Sequence, residues 1–379
     1  VGSEMCIRDR ENIMHALKRF GTAFGGYKMM ENYPVPECGP DDIILEIKAA
    51  AICGADMKHW GVDNGYDDTN ITPDQQQSVR GHEFAGEIVK VGENVKDWHI
   101  GQRVVSDNSA HVCGVCPACE QGDFLCCEHK VNLGLDNNTW GGGFSKYCKV
   151  PGEILAIHKH AIWEIPEGIK YEEACVLDPI CNAYKAVAQQ SHLIPGQDVV
   201  VFGTGPLGLF SVQVAKLMGA VNIVMVGLDD DVKVRFGVAK ELGATHCVNG
   251  SKEDVVARCT EICGRDNLGL VIECSGANIA LKQAIEMTRP NAEIVRVGMG
   301  FKPLEFSIND ITAWNKSIIG HMAYDSTSWR NCIRLLQSGQ IKVQPMITHR
   351  LGLSQWQEGF DKMAKKEAIK VIFHYDYED

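Results

Sequence analysis

Four cysteines, Cys113, Cys116, Cys119 and Cys127, stand in the pattern C-x2-C-x2-C-x7-C. Thiolates this close together can reach one ion from a tight turn, and four of them complete a tetrahedral zinc shell with no position left open. Such a shell does structural work, clamping a lobe of chain. Cys126, directly before Cys127, is an alternative fourth ligand, and reactive or incidental thiols are the competing reading. A zinc-ribbon nucleic-acid binder also uses cysteine knuckles, but it needs a basic chain. This one carries Lys+Arg 37 against Asp+Glu 49, a net charge of -12.

A second constellation mixes donor types. Cys53-Gly54-Ala55-Asp56 is followed by Gly81-His82-Glu83-Phe84-Ala85-Gly86. A thiolate and an imidazole from neighbouring loops are good zinc ligands, and Glu83 adds either a third ligand or a base behind them. Alone, a His-Glu pair is more often a surface or core feature; beside the four-cysteine cluster it reads as a metal site that keeps an open position for chemistry.

The third run is Gly203-Thr204-Gly205-Pro206-Leu207-Gly208, a G-x-G-x-x-G sequence after the apolar stretch Val199 to Phe202 and before a helical pattern. That context fits a dinucleotide turn: the first Gly turns the chain and the second admits the pyrophosphate. The third lets helix and strand pack, with Pro206 and Leu207 opening the helix under the phosphates. The ribose-binding acid usually lies about 20 residues on. Here that count lands on Gly227, with Asp229, Asp230 and Asp231 just after it. A carboxylate among them suits ribose hydroxyls and opposes a 2′-phosphate, favouring NAD; Arg235 leaves NADP open.

Together these motifs resemble the zinc-dependent medium-chain dehydrogenases. The signature G-H-E-x2-G-x5-G-x2-V is complete from Gly81 to Val95, and the resemblance covers the chain from Met14 onward. It implies NAD-linked oxidation of a secondary alcohol, with zinc lowering the pKa of the substrate hydroxyl. It also implies a third protein ligand in Leu177-Asp178-Pro179, where sorbitol, other polyol and threonine dehydrogenases carry an acid. Cys175 and Cys181 flank Asp178 as alternatives, and Asp178 as a helix cap is the bland reading. Two positions depart from the pattern. Ala55 replaces the usual Ser or Thr that relays the hydroxyl proton, and Lys58 then His59 replace the histidine of threonine dehydrogenases. Asp56 or His59 is the expected substitute relay, unless each is structural. Leu177 to Tyr184, Ile272 to Asn278 and His321 to Asp325 resemble erythritol/L-threitol dehydrogenases, which makes a short polyol the expected substrate and a ketose the product. Threonine or a simple alcohol is the alternative, as is a non-catalytic nucleotide-binding homologue, for which Ala55 is the best support.

The elements that must hold these residues are legible in the hydrophobic pattern. Residues up to about Val150 read as a turn-rich β region. From Val199 onward, strands and helices alternate at the spacing of a parallel, doubly wound sheet, through Asn222 to Val226, Val232 to Leu242, Lys252 to Cys263, Leu270 to Cys274, Ile279 to Thr288 and Glu293 to Val297. The resemblance makes the first region GroES-like. The expected organisation is α/β: a GroES-like zinc catalytic domain over 14–186 and 324–379, with a Rossmann domain over 187–323 inserted. Ile369 to Tyr375 is expected to rejoin the first domain. Residues 1–10 resemble translated adapter sequence.

The chain's 379 residues are enough for two cores, and an ordinary balance of 45% hydrophobic and 23% charged residues excludes a disordered or collagen-like chain. The acidic charge repels phosphate backbones and anionic lipid, so no nucleic-acid or membrane-surface partner is expected. A small-molecule polyol is the expected partner, and a homo-oligomer, dimer or tetramer, the expected assembly. No secretory pattern is present at the start, so a cytoplasmic location is expected, where clustered cysteines serve as metal ligands.

Overall fold

The computed structural model describes residues 12–20, 26–58, 60, 77–300 and 302–378. The chain divides into two compact units, Val1–Asp178 with Ile347–Asp379, and Pro179–Met346.

The first unit is built on a seven-stranded sheet. Its order is Ile347–Gly352, Lys370–His374, Ile43–Ala51, Glu83–Val91, Arg103–Ser106 and Ile162–Glu164, with Tyr147–Val150 also paired to Ile43–Ala51. These stretches are rich in Ile, Val, Phe and Ala, residues that pack on a pleated surface. Leu45, Ile47, Phe84, Ile88, Val104, Phe144 and Phe373 form the core. The expected return of the C-terminal strand is observed: Ile372 pairs with Ala51 and Phe373 with Ala50. On the other side Ala51 pairs with Glu83. Three neighbouring strand ends therefore bring Cys53, Glu83 and Lys370 together. A separate ribbon, Ser109–His111 against Val131–Asn132, brackets the four-cysteine segment.

The second unit contains a six-stranded sheet in the order His246–Asn249, Ile223–Gly227, Val199–Phe202, Leu270–Glu273, Glu293–Arg296 and Ser317–Gly320, every pair parallel. Val199–Phe202 is buried along its whole length, as a central parallel strand must be when both faces are covered. The order reverses between Val199–Phe202 and Leu270–Glu273, the switch point where doubly wound sheets bind ligands at their C-terminal edge.

Three features differ from the sequence expectation. The helix expected over Val232 to Leu242 is two pieces, Asp229–Val232 and Arg235–Leu242; the first is opened by the Asp231 carboxylate, which turns back to accept from Leu228 N–H at 2.8 Å. The helix Asn309–Ala313 and the strand Ser317–Gly320 were not anticipated. The unit boundaries fall at 178/179 and 346/347, whereas the expected boundaries were 186/187 and 323/324. Hydrogen bonds tie both disputed segments to the parallel-sheet unit. His321 Nε2 lies 3.2 Å from Asn182 Oδ1, and Gln213 binds Lys342 through both its side-chain N–H and its carbonyl oxygen. Among the described residues no helix is long and apolar enough to cross a membrane.

Candidate metal and dinucleotide sites

Cys53 follows Ile43–Ala51 and caps the short helix Gly54–Met57. His82 and Glu83 open the neighbouring strand. One ligand atom from each of the three lies within 4.8 Å of the others. His82 and Glu83 are almost fully buried. One Glu83 oxygen pairs with Lys370 Nζ, which also donates to the Ile52 carbonyl at 3.1 Å. The other, Oε1, is buried without a hydrogen-bond partner, as is His82 Nδ1. Burial pushes the Cys53 thiol up, with Lys370 opposing, and pushes Glu83 well up, again against Lys370. Burial works to lower Lys370, but Glu83 and Cys53 outweigh it and hold the ammonium charged. Acidic donors that resist ionising alone and buried lone pairs without partners form a set that a bound dication satisfies. The residues present fit zinc.

Asp56 is fully buried behind this trio. Its Oδ2 accepts from Cys53 N–H at 3.0 Å and its Oδ1 from Arg80 at 3.2 Å, and Oδ1 lies 3.9 Å from His82 Nδ1. Arg80, just ahead of Gly81-His82, was missed from sequence, as was Lys370. Asp178 lies inside the first turn of the helix Leu177–Tyr184, not at its N-cap. Its Oδ2 accepts from Asn108 Nδ2 at 3.1 Å. It is close enough for its charge to raise both Cys53 and Glu83, yet it is not one of the trio whose donor atoms meet within 4.8 Å. Cys175 is buried and donates to the Glu172 carbonyl at 3.4 Å; neither it nor Cys181 joins the trio. His59 lies outside the described residues.

Cys113, Cys116, Cys119 and Cys127 converge, each sulfur within 4.8 Å of the others. Cys116 caps the helix Pro117–Glu120, whose proline occupies a first-turn position where the missing N–H costs nothing. Cys127 is buried and in the cluster, while Cys126 is exposed and outside it. Backbone N–H groups of Val115 and Cys116 hold the Cys113 thiol down to about 6, whereas burial pushes Cys119 up to about 12.

In the second unit Gly203 turns at φ +96°, a left-handed conformation that favours glycine. A Cβ on Gly208 would lie 1.8 Å from the Gly203 carbonyl, so helix and strand pack only through glycine there. A Cβ on Gly205 would meet nothing, which leaves open space ahead of the helix Pro206–Leu217 that a pyrophosphate fits. Of the acidic run, Asp231 is buried and engaged by Leu228 N–H, with Arg235 at 3.6 Å. Asp229 is exposed just beyond the strand Ile223–Gly227, held by Asn249 at 2.7 Å and Lys252 at 3.3 Å. Asp230 is also exposed. Glu273, which sequence reasoning did not single out, closes the neighbouring loop by accepting from Ser275 and Gly276 N–H at 2.7 and 2.9 Å.

A mixed-donor metal site, a four-thiolate lobe and a glycine turn on a doubly wound sheet together define a zinc-dependent dehydrogenase. Residues 39–160 match the alcohol dehydrogenase GroES-like domain, and residues 206–338 match the zinc-binding dehydrogenase domain. The chain belongs to the zinc-type medium-chain alcohol dehydrogenase family, and its cofactors are zinc and NAD(P). It is 77% identical over 366 residues to the zinc-type alcohol dehydrogenase-like protein YdjL of Escherichia coli (strain K12), spanning 97% of this chain and 100% of that one. It is 30% identical over 348 residues to a sorbitol dehydrogenase of Halalkalibacterium halodurans, spanning 92% and 95%. The crystal structure of 2R,3R-butanediol dehydrogenase from Bacillus subtilis superposes with a TM-score of 0.81 at 29% identity, covering 96% of this chain and 100% of that one.

Proposed function

We propose that the protein catalyses NAD-linked oxidation of a secondary hydroxyl of a short polyol, erythritol or L-threitol, to the ketose. The observation that carries this reading is the buried acid Asp178, standing where polyol dehydrogenases carry one, with its charge reaching both Cys53 and Glu83. Cys53, His82 and a carboxylate, Glu83 or Asp178, would hold the zinc, which would supply a Lewis acid that lowers the pKa of the substrate hydroxyl. A carboxylate is a harder and less bulky donor than a second thiolate, and so suits a vicinal pair of substrate oxygens. The second hydroxyl then supplies binding energy and orientation that ethanol lacks.

The chain's own residues take the remaining roles. Asp56, with its oxygens engaged by Cys53 N–H and Arg80, fixes the loop that carries Cys53 beside the strand that follows His82. Ala55 offers no hydroxyl, and Asp56 is committed, so the substrate proton leaves by ordered water or by His59. The Gly203–Gly208 turn with Pro206 and Leu207 receives the pyrophosphate. Asp229, or Asp230 beside it, receives the ribose, while Arg235 is drawn to Asp231 rather than left for a 2′-phosphate; this favours NAD. Relatives named for sorbitol and butanediol oxidation support a polyol or diol. The test is kcat/KM for erythritol, both threitols, sorbitol, galactitol, threonine and ethanol under one set of conditions. Short polyols should lead. A clear preference for threonine or ethanol overturns the assignment, and zinc-loaded protein that reduces no NAD with any of them is a non-catalytic homologue.

A further inference from the structure

The four-thiolate lobe stands on the ribbon Ser109–His111 and Val131–Asn132, and a buried polar turn lies at its base. Asp107 Oδ2 is 2.5 Å from His158 Nε2, and the His158 ring packs on Phe124 of the lobe with centroids 4.3 Å apart. Asn108 follows at φ +60°, a left-handed conformation that asparagine tolerates better than most residues. Its N–H donates to Ser106 Oγ at 2.9 Å and its side chain is 4% exposed. The side chain bridges two groups far apart in sequence. Oδ1 accepts from Asn132 Nδ2 at 2.6 Å, and Nδ2 donates to Asp178 Oδ2 at 3.1 Å. Because Asn132 engages the carbonyl oxygen, the amide NH2 has to face Asp178.

We propose that Asn108 is a positioning residue for Asp178, and that through Asn132 it couples the four-cysteine lobe to the mixed-donor zinc site. The inference rests on the reading that Asp178 serves that site. A neutral amide fixes the direction of a carboxylate without offering a charge that competes for the metal, and outer partners of this kind tune both metal affinity and turnover. Asn132 stands where the chain leaves the lobe, so a lobe held shut by its four thiolates holds Asn132, and Asn132 holds the Asn108 amide in register.

Two substitutions keep the left-handed turn. Asn108→Gly deletes the amide at a φ glycine accepts, and Asn108→Asp keeps the shape but turns a carboxylate oxygen toward Asp178. Both are compared with Asp178→Asn, alone and combined, in zinc-loaded protein. The readouts are the rate at which chelator removes the labile zinc, the visible spectrum after cobalt replaces that zinc, and kcat with KM. The zinc of the four-thiolate lobe, retained throughout, reports that the fold is intact. The Asn108 variants should lose the labile zinc about 10- to 100-fold faster, with a shifted cobalt spectrum and a lowered kcat, and should add nothing to Asp178→Asn. If they match wild type while Asp178→Asn is impaired, the proposal falls and the role of Asp178 stands. If their effects add fully to Asp178→Asn, they do not act through Asp178 and the proposal also falls. If Asp178→Asn itself matches wild type, the reading of Asp178 fails and takes this one with it. Should neither Asn108 variant fold, Asn132→Ser leaves the 106–108 turn unaltered and is held to the same outcomes.

Discussion

Lys370 shows how much of the mixed-donor site depends on a residue that carries no metal. Its ammonium is fully buried between Glu83 and the Ile52 carbonyl. Lys370→Met strands the Glu83 carboxylate, and breaking a buried pair from one side costs about 3–5 kcal/mol. A loss near the low end, about 3 kcal/mol, is expected in zinc-free protein, because Glu83 is already pushed toward its neutral form. Bound zinc supplies the missing positive charge, so urea denaturation should show a smaller loss in zinc-loaded protein; equal losses with and without zinc would mean that Lys370 and the metal do not share Glu83. The cofactor side has a similar division. Asp229→Ser should weaken NAD and relatively improve NADP, measured as the ratio of kcat/KM, whereas Asp231→Ser should mainly destabilise the turn that its side chain ties to Leu228. A variant series in which no aspartate of the run moves that ratio would remove ribose recognition from it. At this scale Cys53, His82, Glu83 and the four thiolates were legible because a metal ligand must be one of few residue types at short spacing. Lys370, Arg80 and Asn108 were not, because each acts across a fold: Lys370 meets Glu83 over a separation of 287 residues. The one local signal for Lys370 was a charge at the head of the apolar run Val371-Ile372-Phe373.

Elements differ in how far local sequence determines them. The central strand Val199–Phe202 and the helix Pro206–Leu217 were legible because a continuous apolar run and a Gly-Pro start leave few alternatives. The strand Ser317–Gly320 was not, since three of its four residues are exposed, the fourth is half-buried, and no buried face patterns it. Its place is set by pairing with Glu293–Arg296. Two predictions belong here. Mild chelation should remove one zinc and the activity together while leaving a second zinc in the closed four-thiolate lobe, because only the mixed-donor site has an exchangeable position; metal analysis of active protein should give two zinc per chain. The second concerns the helix Ser326–Gln337, capped by Asp325, whose Oδ1 accepts from Ser328 N–H at 2.7 Å. Burial works to raise the Asp325 carboxyl, but hydrogen bonds from Ser328 and Gln189 outweigh it and hold it below its ordinary value. A depressed folded-state pKa gives stability that is present above the unfolded value and lost as pH falls through the folded one. Asp325→Ala should therefore cost about 1 kcal/mol near neutral pH. The difference from wild type should shrink as pH drops below about 4, the ordinary range for aspartate, and a difference constant from pH 7 to pH 3 would show that the cap does not act through its charge.

For the whole molecule, the acidic balance and the alternation of strands and helices were enough to expect two cores and to set aside nucleic-acid binding. They were silent on which surface meets another copy, because that depends on where the parallel sheet stops. It stops at Ser317–Gly320, where Ser317, Ile318 and Gly320 are exposed. Trp314 (53% exposed), in the turn before this strand, and Ile308 (49%), ahead of the preceding helix, are apolar and open to solvent. The opposite edge, His246–Asn249, has no exposed residue. An exposed edge beside apolar side chains is a template for another strand, and natural sheets that must stay single guard such edges with charge or proline; neither occurs within Ser317–Gly320. The same edge from a second copy would satisfy it around a two-fold axis, the commonest closed symmetry, and would join both sheets into one. The protein should therefore be at least a dimer in light scattering at micromolar concentration. Ile318→Lys, placed on that edge and outside the unit that carries both metal-ligating clusters, should shift it toward monomer with both zinc ions retained. A wild-type monomer, or an Ile318→Lys protein that remains fully dimeric, would exclude this edge as the contact.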